Sequence, residues 1–351
     1  MRGLSQEQKI LLQMLKGEPI QSLESVNAGE LIDLLRRHRL FPIAEDLLML
    51  MTDPERNDLK QRIQHWALKS LHLSSVLSEI VNEFYKHGID ALSLKGPVLT
   101  HALFGDMAKR SFGDLDILVG KEDLFESLDV LKSLGFRLQY PREDLSKMQW
   151  EHYFRFKNDI GLIHKTQKSF IELHIGIYTH ELLRKSDESV LLDNSIEELI
   201  YDFPIKTLNR ENTFLYLAYH GAYHLYTRLF WLRDVAKALE SWELDHQTIL
   251  KKAQQLGIDR LLGVSLLLSN EFCGSEIPEA YSGYILDNRK KLNQLSRLCH
   301  KRILGGENEN IISKIRKNHY FMLLKPGLKY RWTVFKSLFH RWYIRKFLGG
   351  H

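Results

Sequence analysis

The sequence of 351 residues predicts an α+β or α/β core held between helical segments. Three observations carry that expectation. Both ends of the chain repeat apolar residues at helical spacing, about ninety residues in between change to short strand-like apolar runs, and glycines and prolines punctuate those runs. Apolar residues make up 44% and charged residues 26%, which is the balance of a globular chain able to bury a core and excludes a disordered or fibrous one.

In chain order, residues 1–88 read as helical. Ser5-Gln-Glu-Gln8 is a capping-box pattern ahead of Ile10, Leu11, Leu12 and Leu15. A longer helix is expected over Glu55 to Lys86, with Trp66, Leu73, Leu77, Ile80, Val81 and Phe84 on one face and His87-Gly88 ending it. A strand then covers 89–94, and Lys95-Gly96-Pro97 forms a turn whose proline suits the start of a helix over 98–104. Asp114 to Val119 is the second strand, followed by a helix over 121–134 closed by Gly135. Further strands are expected over 136–140, 152–157, 160–164 and 169–175. Beyond Asn209 the pattern returns to helices, over 211–227, 229–242, 246–256, 259–272 and 288–303. The expected organisation is an N-terminal helical segment (1–57), a core (58–180), a helical domain (181–325) and a basic aromatic tail (326–351).

Cys273 and Cys299 lie in helix-like contexts without metal-type spacing, so they read as buried free thiols of a reducing compartment. The opening MRGLSQEQKI lacks the apolar core of a signal peptide, and the longest apolar run, near Leu261 to Leu268, is too short to span a bilayer. A cytoplasmic protein is the expectation. The net charge of +5 is unevenly placed: no acidic residue follows Glu309, whereas residues 310–351 hold ten Lys or Arg, leaving the body mildly acidic. Any anionic partner therefore has to be argued from the tail. Its mixture of aromatics and cations between Tyr330 and Phe347 suits an anionic membrane surface, RNA or an acidic acceptor. A terminal helix packed on the body is the plainer expectation, because apolar and charged residues do not separate cleanly around it.

The chemistry gathers at Asp114-Leu-Asp116. Residues i and i+2 of a strand share a face, so the two carboxylates project together while Leu115 and Ile117 face the core. Like charges so placed repel unless a cation lies between them, and all-oxygen ligands point to Mg²⁺. Asp-x-Asp alone also describes a solvated strand end. Ile171-Glu172-Leu-His174 adds an isolated acid between apolar neighbours, with His174 on the same face. By itself Glu172 equally suits a salt bridge to Arg110 or Lys95. His220 and His224 share a helix face, with packing or hydrogen bonding expected ahead of zinc ligation, and Asp234 reads as the partner of a nearby Arg or His.

Together these segments resemble the bacterial uncharacterised nucleotidyltransferase family of the DNA polymerase β-like nucleotidyltransferase superfamily. The resemblance rests on Lys95-Gly96, Phe104-Gly-Asp106-Met-Ala-Lys-Arg110 (Phe where the family has Tyr), Asp114-Leu-Asp116 and Glu172-Leu-His174. It continues through His220-Gly-Ala-Tyr-His224 and Arg228-Leu-Phe-Trp231-Leu-Arg-Asp234, and it covers about residues 60–240. It implies an α+β fold with a small mixed sheet, flanking helices and a helical C-terminal domain. It also implies metal-dependent transfer of a nucleoside monophosphate from an NTP to an acceptor, with release of pyrophosphate. Asp114, Asp116 and Glu172 would hold Mg²⁺, or Mn²⁺ in its place. Lys95, Gly96 and Arg110 would receive the phosphates, and His174, His220 and His224 would line the nucleotide pocket. Lys-Gly stands where the wider superfamily has Gly-Ser or Gly-Gly. The acceptor stays open among protein, peptide, small molecule, sugar and tRNA. The competing readings are a glycosyltransferase that uses Asp-x-Asp with a nucleotide sugar, a toxin-type transferase, and an inactive nucleotide-binding module.

Overall fold

The structure, a computed structural model, describes residues 3–178, 194–201, 203–305, 311–325 and 327–349. The junction expected at 180/181 lies outside them. Two helices open the chain, α1 (Gln6–Lys16) and α2 (Ala28–His38). The capping box forms as expected, Ser5 and Gln8 each accepting the other's backbone N–H. The 32-residue helix α3 (Glu55–Lys86) follows.

The central sheet contains β1 (Ala91–Ser93), β2 (Leu115–Val119), β3 (Arg137–Tyr140), β4 (Asp159–His164) and β5 (Ser169–His174), in the spatial order β1-β2-β5-β4-β3. Only β2 and β5 run parallel, so the sheet is mixed. α4 (Gly96–Phe104) and α5 (Leu124–Ser133) join its strands, and the fold is α+β. One face of the sheet sends Leu115, Ile117, Val119, Ile171 and Leu173 into a core with Leu73, Leu77, Ile80 and Phe84 of α3. Strand alternation turns Asp116, Glu172 and His174 to the other face.

Two expectations are corrected. The strand expected over 152–157 does not form: its first half is the end of α6 (Lys147–Phe154), which starts at a second capping box, Ser146 with Gln149, and a turn follows. The aromatic residues here suit either state, and the cap decides. The segment expected to be helical from 181 instead contains an antiparallel hairpin, β6 (Ser195–Ile200) and β7 (Phe203–Leu208), whose Thr207 hydroxyl donates to Ser93 O at 2.7 Å.

Helices then resume as α7 (Arg210–Tyr223), α8 (Phe230–Ser241), α9 (His246–Leu256), α10 (Asp259–Cys273) and α11 (Ser282–Gly305), followed by α12 (Ile311–Leu324) and α13 (Leu328–Tyr343). α7 stops before its expected end because Leu225 and Tyr226 adopt left-handed φ values of 52° and 47°. These helices share a second core with α1 and α2. Cys273 and Cys299 are both buried and free. Among the described residues, no helix is long and apolar enough to cross a membrane.

His38 ties the N-terminal helices to this core. Its Nδ1 accepts the Leu229 backbone N–H at 3.2 Å, and burial, aided by Arg37, pulls its pKa down to about 3. The ring is therefore neutral in the fold and protonates near 6.5 once unfolded. Its stabilisation is complete above pH 6.5 and is lost as pH falls toward 3, amounting to about 2 kcal/mol by pH 5. Urea denaturation at pH 7.5 and pH 5 should show a loss about that much smaller in His38→Gln than in the wild type.

Candidate active site

The turn after β1 forms one wall of the site. Leu94 N–H donates to Asp116 O at 2.9 Å, which holds this end of β1 beside β2. Gly96 has φ +64°, a conformation that costs a residue with a β-carbon roughly 1–2 kcal/mol. An added Cβ would meet nothing nearer than Leu115 Cδ2 at 3.6 Å, so conformation rather than space selects glycine. α4 begins there without a side-chain cap, leaving first-turn N–H groups available to an anion.

Across the floor, the parallel register sets Asp116 directly beside Glu172 and Leu118 beside His174. The three polar side chains therefore share the face opposite the α3 core. His174 Nε2 lies 3.4 Å from Asp116 Oδ1 and 3.7 Å from Glu172 Oε2. Tyr140 OH donates to Glu172 Oε1 at 3.3 Å. Its ring reaches that far by crossing Gly161, where a Cβ would come within 2.2 Å of Tyr140 Cε1.

Lys95 reaches the same point. Its Nζ lies 3.1 Å from Asp116 Oδ1, 3.5 Å from each ring nitrogen of His220 and 5.4 Å from the Tyr216 ring centre. Burial opposes the charge on Lys95, but Asp116 foremost holds its pKa above the ordinary lysine value. Burial likewise works against ionised Asp116, yet Lys95 and then His174 keep its pKa well below the carboxylate range. Glu172 goes the other way. Burial and the neighbouring Asp116 push it up to about 7, with His174 pulling against them. His174 itself is raised against burial by its hydrogen bond to Asp116. Burial and Lys95 push His220 well below the usual histidine value, and burial followed by Lys317 takes His224 to about 3. Both are neutral rings, packed 4.8 Å apart beside Trp231.

These groups line a cavity of about 1120 Å³ between the sheet and helices α7, α11 and α12. The structure brings Lys95, Gly96, Asp116, Glu172, His174, His220 and His224 together in it. Asp116, Glu172 and His174 each offer a ligand atom within 4.8 Å of the others. That compact trio holds the histidine where the sequence reading had Asp114. Asp114 precedes β2, half-buried on the same cavity wall. Two close carboxylates, one of them pushed up by burial and then by the neighbouring Asp116, with an imidazole alongside, form a donor set that fits a divalent cation.

Arg110 is engaged differently from the expectation. Its Nε and Nη2 donate to the two carboxylate oxygens of Asp234, each at 2.9 Å, so the fork expected to meet phosphate is occupied inside the protein. Asp234 is thus the arginine partner it was read to be. Other cations stand nearer Asp114. A Cβ on Gly113 would lie 3.5 Å from Lys69 Nζ and 3.7 Å from Arg39 Nη2. Burial first, then Arg228, lowers Arg39 to about 10, while Asp114 opposes the shift. Arg39, Lys69, Tyr140 and Tyr216 were missed in the sequence, where no local motif marks them.

No curated protein and no solved structure matches the chain. The family model described as "Uncharacterised nucleotidyltransferase" matches residues 24–274. With that match extending over more than half of its length, and with paired acids in register beside the glycine turn, the chain belongs to the uncharacterised nucleotidyltransferase family.

Proposed function

We propose that the protein is a metal-dependent nucleotidyltransferase that moves a nucleoside monophosphate from an NTP to an acceptor hydroxyl. The observation that carries this reading is the in-register pair Asp116 and Glu172 on parallel strands, next to the uncapped helix start at Gly96. Asp116, Glu172 and His174, with Asp114 at the cavity wall, would hold Mg²⁺ or Mn²⁺, which supplies charge neutralisation to the triphosphate and acidifies the acceptor hydroxyl. The acceptor oxygen bonds to the α-phosphorus, the bond to the bridging oxygen breaks, pyrophosphate leaves, and the acceptor proton passes to solvent.

The chain's own groups do the rest. The first-turn N–H groups of α4 and the cations Arg39, Lys69 and Arg228 meet the phosphates. Lys95, 3.1 Å from Asp116, neutralises that carboxylate and, with a divalent cation held there, would have its ammonium available to the triphosphate. Tyr140 fixes the rotamer of Glu172 through its hydrogen bond. Neutral His220 and His224, with Trp231, form an uncharged wall suited to the nucleoside.

Incubation with each labelled NTP, Mg²⁺ or Mn²⁺ and cell lysate should release pyrophosphate and transfer label to an acceptor identified by mass spectrometry. Release of nucleoside diphosphate from a nucleotide sugar would instead support the glycosyltransferase. NTP binding without product under either metal would support the inactive module. The glycosyltransferase reading gives Glu172 no role beside Asp116, and so accounts for less of the site.

A further inference from the structure

The terminal helix presents an exposed aromatic surface, of which Trp342 alone also lines the active-site cavity. Along α13, Leu328, Trp332, Phe335, Phe339 and Trp342 recur at intervals of four, three, four and three residues, and each is at least half exposed. Phe347, in the π-helical turn that follows (Ile344–Leu348), continues the stripe. The opposite side anchors the element. Val334 is buried in the helical core, Ile344 and Leu348 are buried in the core of the sheet, and the His340 ring stacks on Phe156 with centres 3.9 Å apart. The segment is thus the packed helix that the sequence reading expected. Its lysines also meet the exposed rings through their ammonium groups. Lys336 Nζ lies 5.6 Å from the Trp332 ring centre and Lys346 Nζ 5.1 Å from that of Trp342.

We propose that this stripe docks the protein peripherally on an anionic lipid surface. An exposed aromatic ridge with lysine ammonium groups set against its rings is the pattern of a helix lying in the interfacial plane. Charge selects the occupant: residues 310–351 carry ten Lys or Arg and no acid. A second copy packed on the same ridge would set this cationic strip against itself. Single-stranded nucleic acid needs open ring faces for its bases. Here ring faces are taken, Trp332 and Phe335 stacking at 5.5 Å with planes 17° apart and Lys336 and Lys346 lying over the Trp332 and Trp342 rings. Trp342 and Arg345 also line the rim of the large cavity. A docked molecule therefore holds that rim next to the lipid headgroups.

The test is co-sedimentation of the full chain with sucrose-loaded vesicles, phosphatidylcholine alone against an equimolar mixture with phosphatidylglycerol, in about 0.1 M salt, where exposed charges still act over about 10 Å. The anionic vesicles should bind at least about tenfold more protein, with a blue shift in tryptophan emission and quenching by brominated acyl chains. The exposed pair Phe335→Ser/Phe339→Ser should lose at least about tenfold of that binding while keeping its circular dichroism spectrum, and Lys336→Glu/Lys346→Glu should weaken it with a shallower salt dependence. Three results would each overturn the proposal. They are equal binding to both vesicles, binding indifferent to the Phe335/Phe339 change, and displacement from vesicles by a single-stranded oligonucleotide whose own binding requires those phenylalanines. A concentration-dependent dimer abolished by the same pair, with no vesicle binding, would assign the stripe to self-association instead.

Discussion

Asp116→Asn and Glu172→Gln are both expected to lower kcat for nucleotide transfer by about a thousandfold or more, since on the proposed mechanism each removes a metal ligand from a site whose catalysis is electrostatic. Their stabilities should move in opposite directions. Asp116 is almost fully buried and is the anion on which Lys95 and His174 converge, at 3.1 and 3.4 Å. Its amide leaves a buried ammonium without a counter-charge, at a cost of about 3 kcal/mol. Glu172 is raised from 4.5 to about 7. The unfolded chain therefore sheds this proton at a lower pH than the fold does, and stability drains away as pH rises from about 4.5 to 7. Glutamine cannot ionise, so Glu172→Gln should be more stable than the wild type at pH 7.5, by about 1–2 kcal/mol after allowance for its partial exposure. Urea denaturation of the metal-free protein checks both signs. A Glu172→Gln variant that is less stable would show that Glu172 serves the fold rather than the site, and undiminished turnover in either variant would end the metal assignment.

Most of this site was legible because its information is local. Asp114-Leu-Asp116 and Glu172-Leu-His174 alternate acid with apolar residue, and a strand converts that alternation into a polar face without help from elsewhere. What the sequence withheld is which strands are neighbours. β2 and β5 pair in parallel across two intervening strands, and only that register puts His174 rather than Asp114 in the tight trio. Arg39 and Tyr140 reach the cavity from distant elements, the second only because Gly161 leaves room for its ring. The missed hairpin has a comparable cause. Ser195–Ile200 carries adjacent glutamates and Phe203–Leu208 a proline, both poor strand formers whose partner lies close at hand. In α6, aromatic and histidine residues with strand-like preference were outweighed by a capping box spanning the four residues Ser146 to Gln149.

Asp234→Ala should be the most destabilising single change in the helical wall, costing about 3–5 kcal/mol. Arg110 and Asp234 are nearly inaccessible and joined by two hydrogen bonds, and Arg110 Nη1 has no hydrogen-bond partner among the described residues. Without the carboxylate, a buried guanidinium would lose its only counter-ion among the described residues. The pair links the segment that leads into β2 with α8, and so sets the distance between the acidic strands and the wall that carries Trp231. The double replacement Arg110→Met/Asp234→Leu removes both charges while keeping their bulk, and it should recover most of the loss, as apolar substitutes for buried pairs do. Denaturation curves of the two single variants and the double give the coupling directly. The same proteins separate two roles for Arg110. Since its fork is committed to Asp234, the double variant should bind NTP about as tightly as the wild type. A recovered fold with NTP binding lost would return Arg110 to the phosphates.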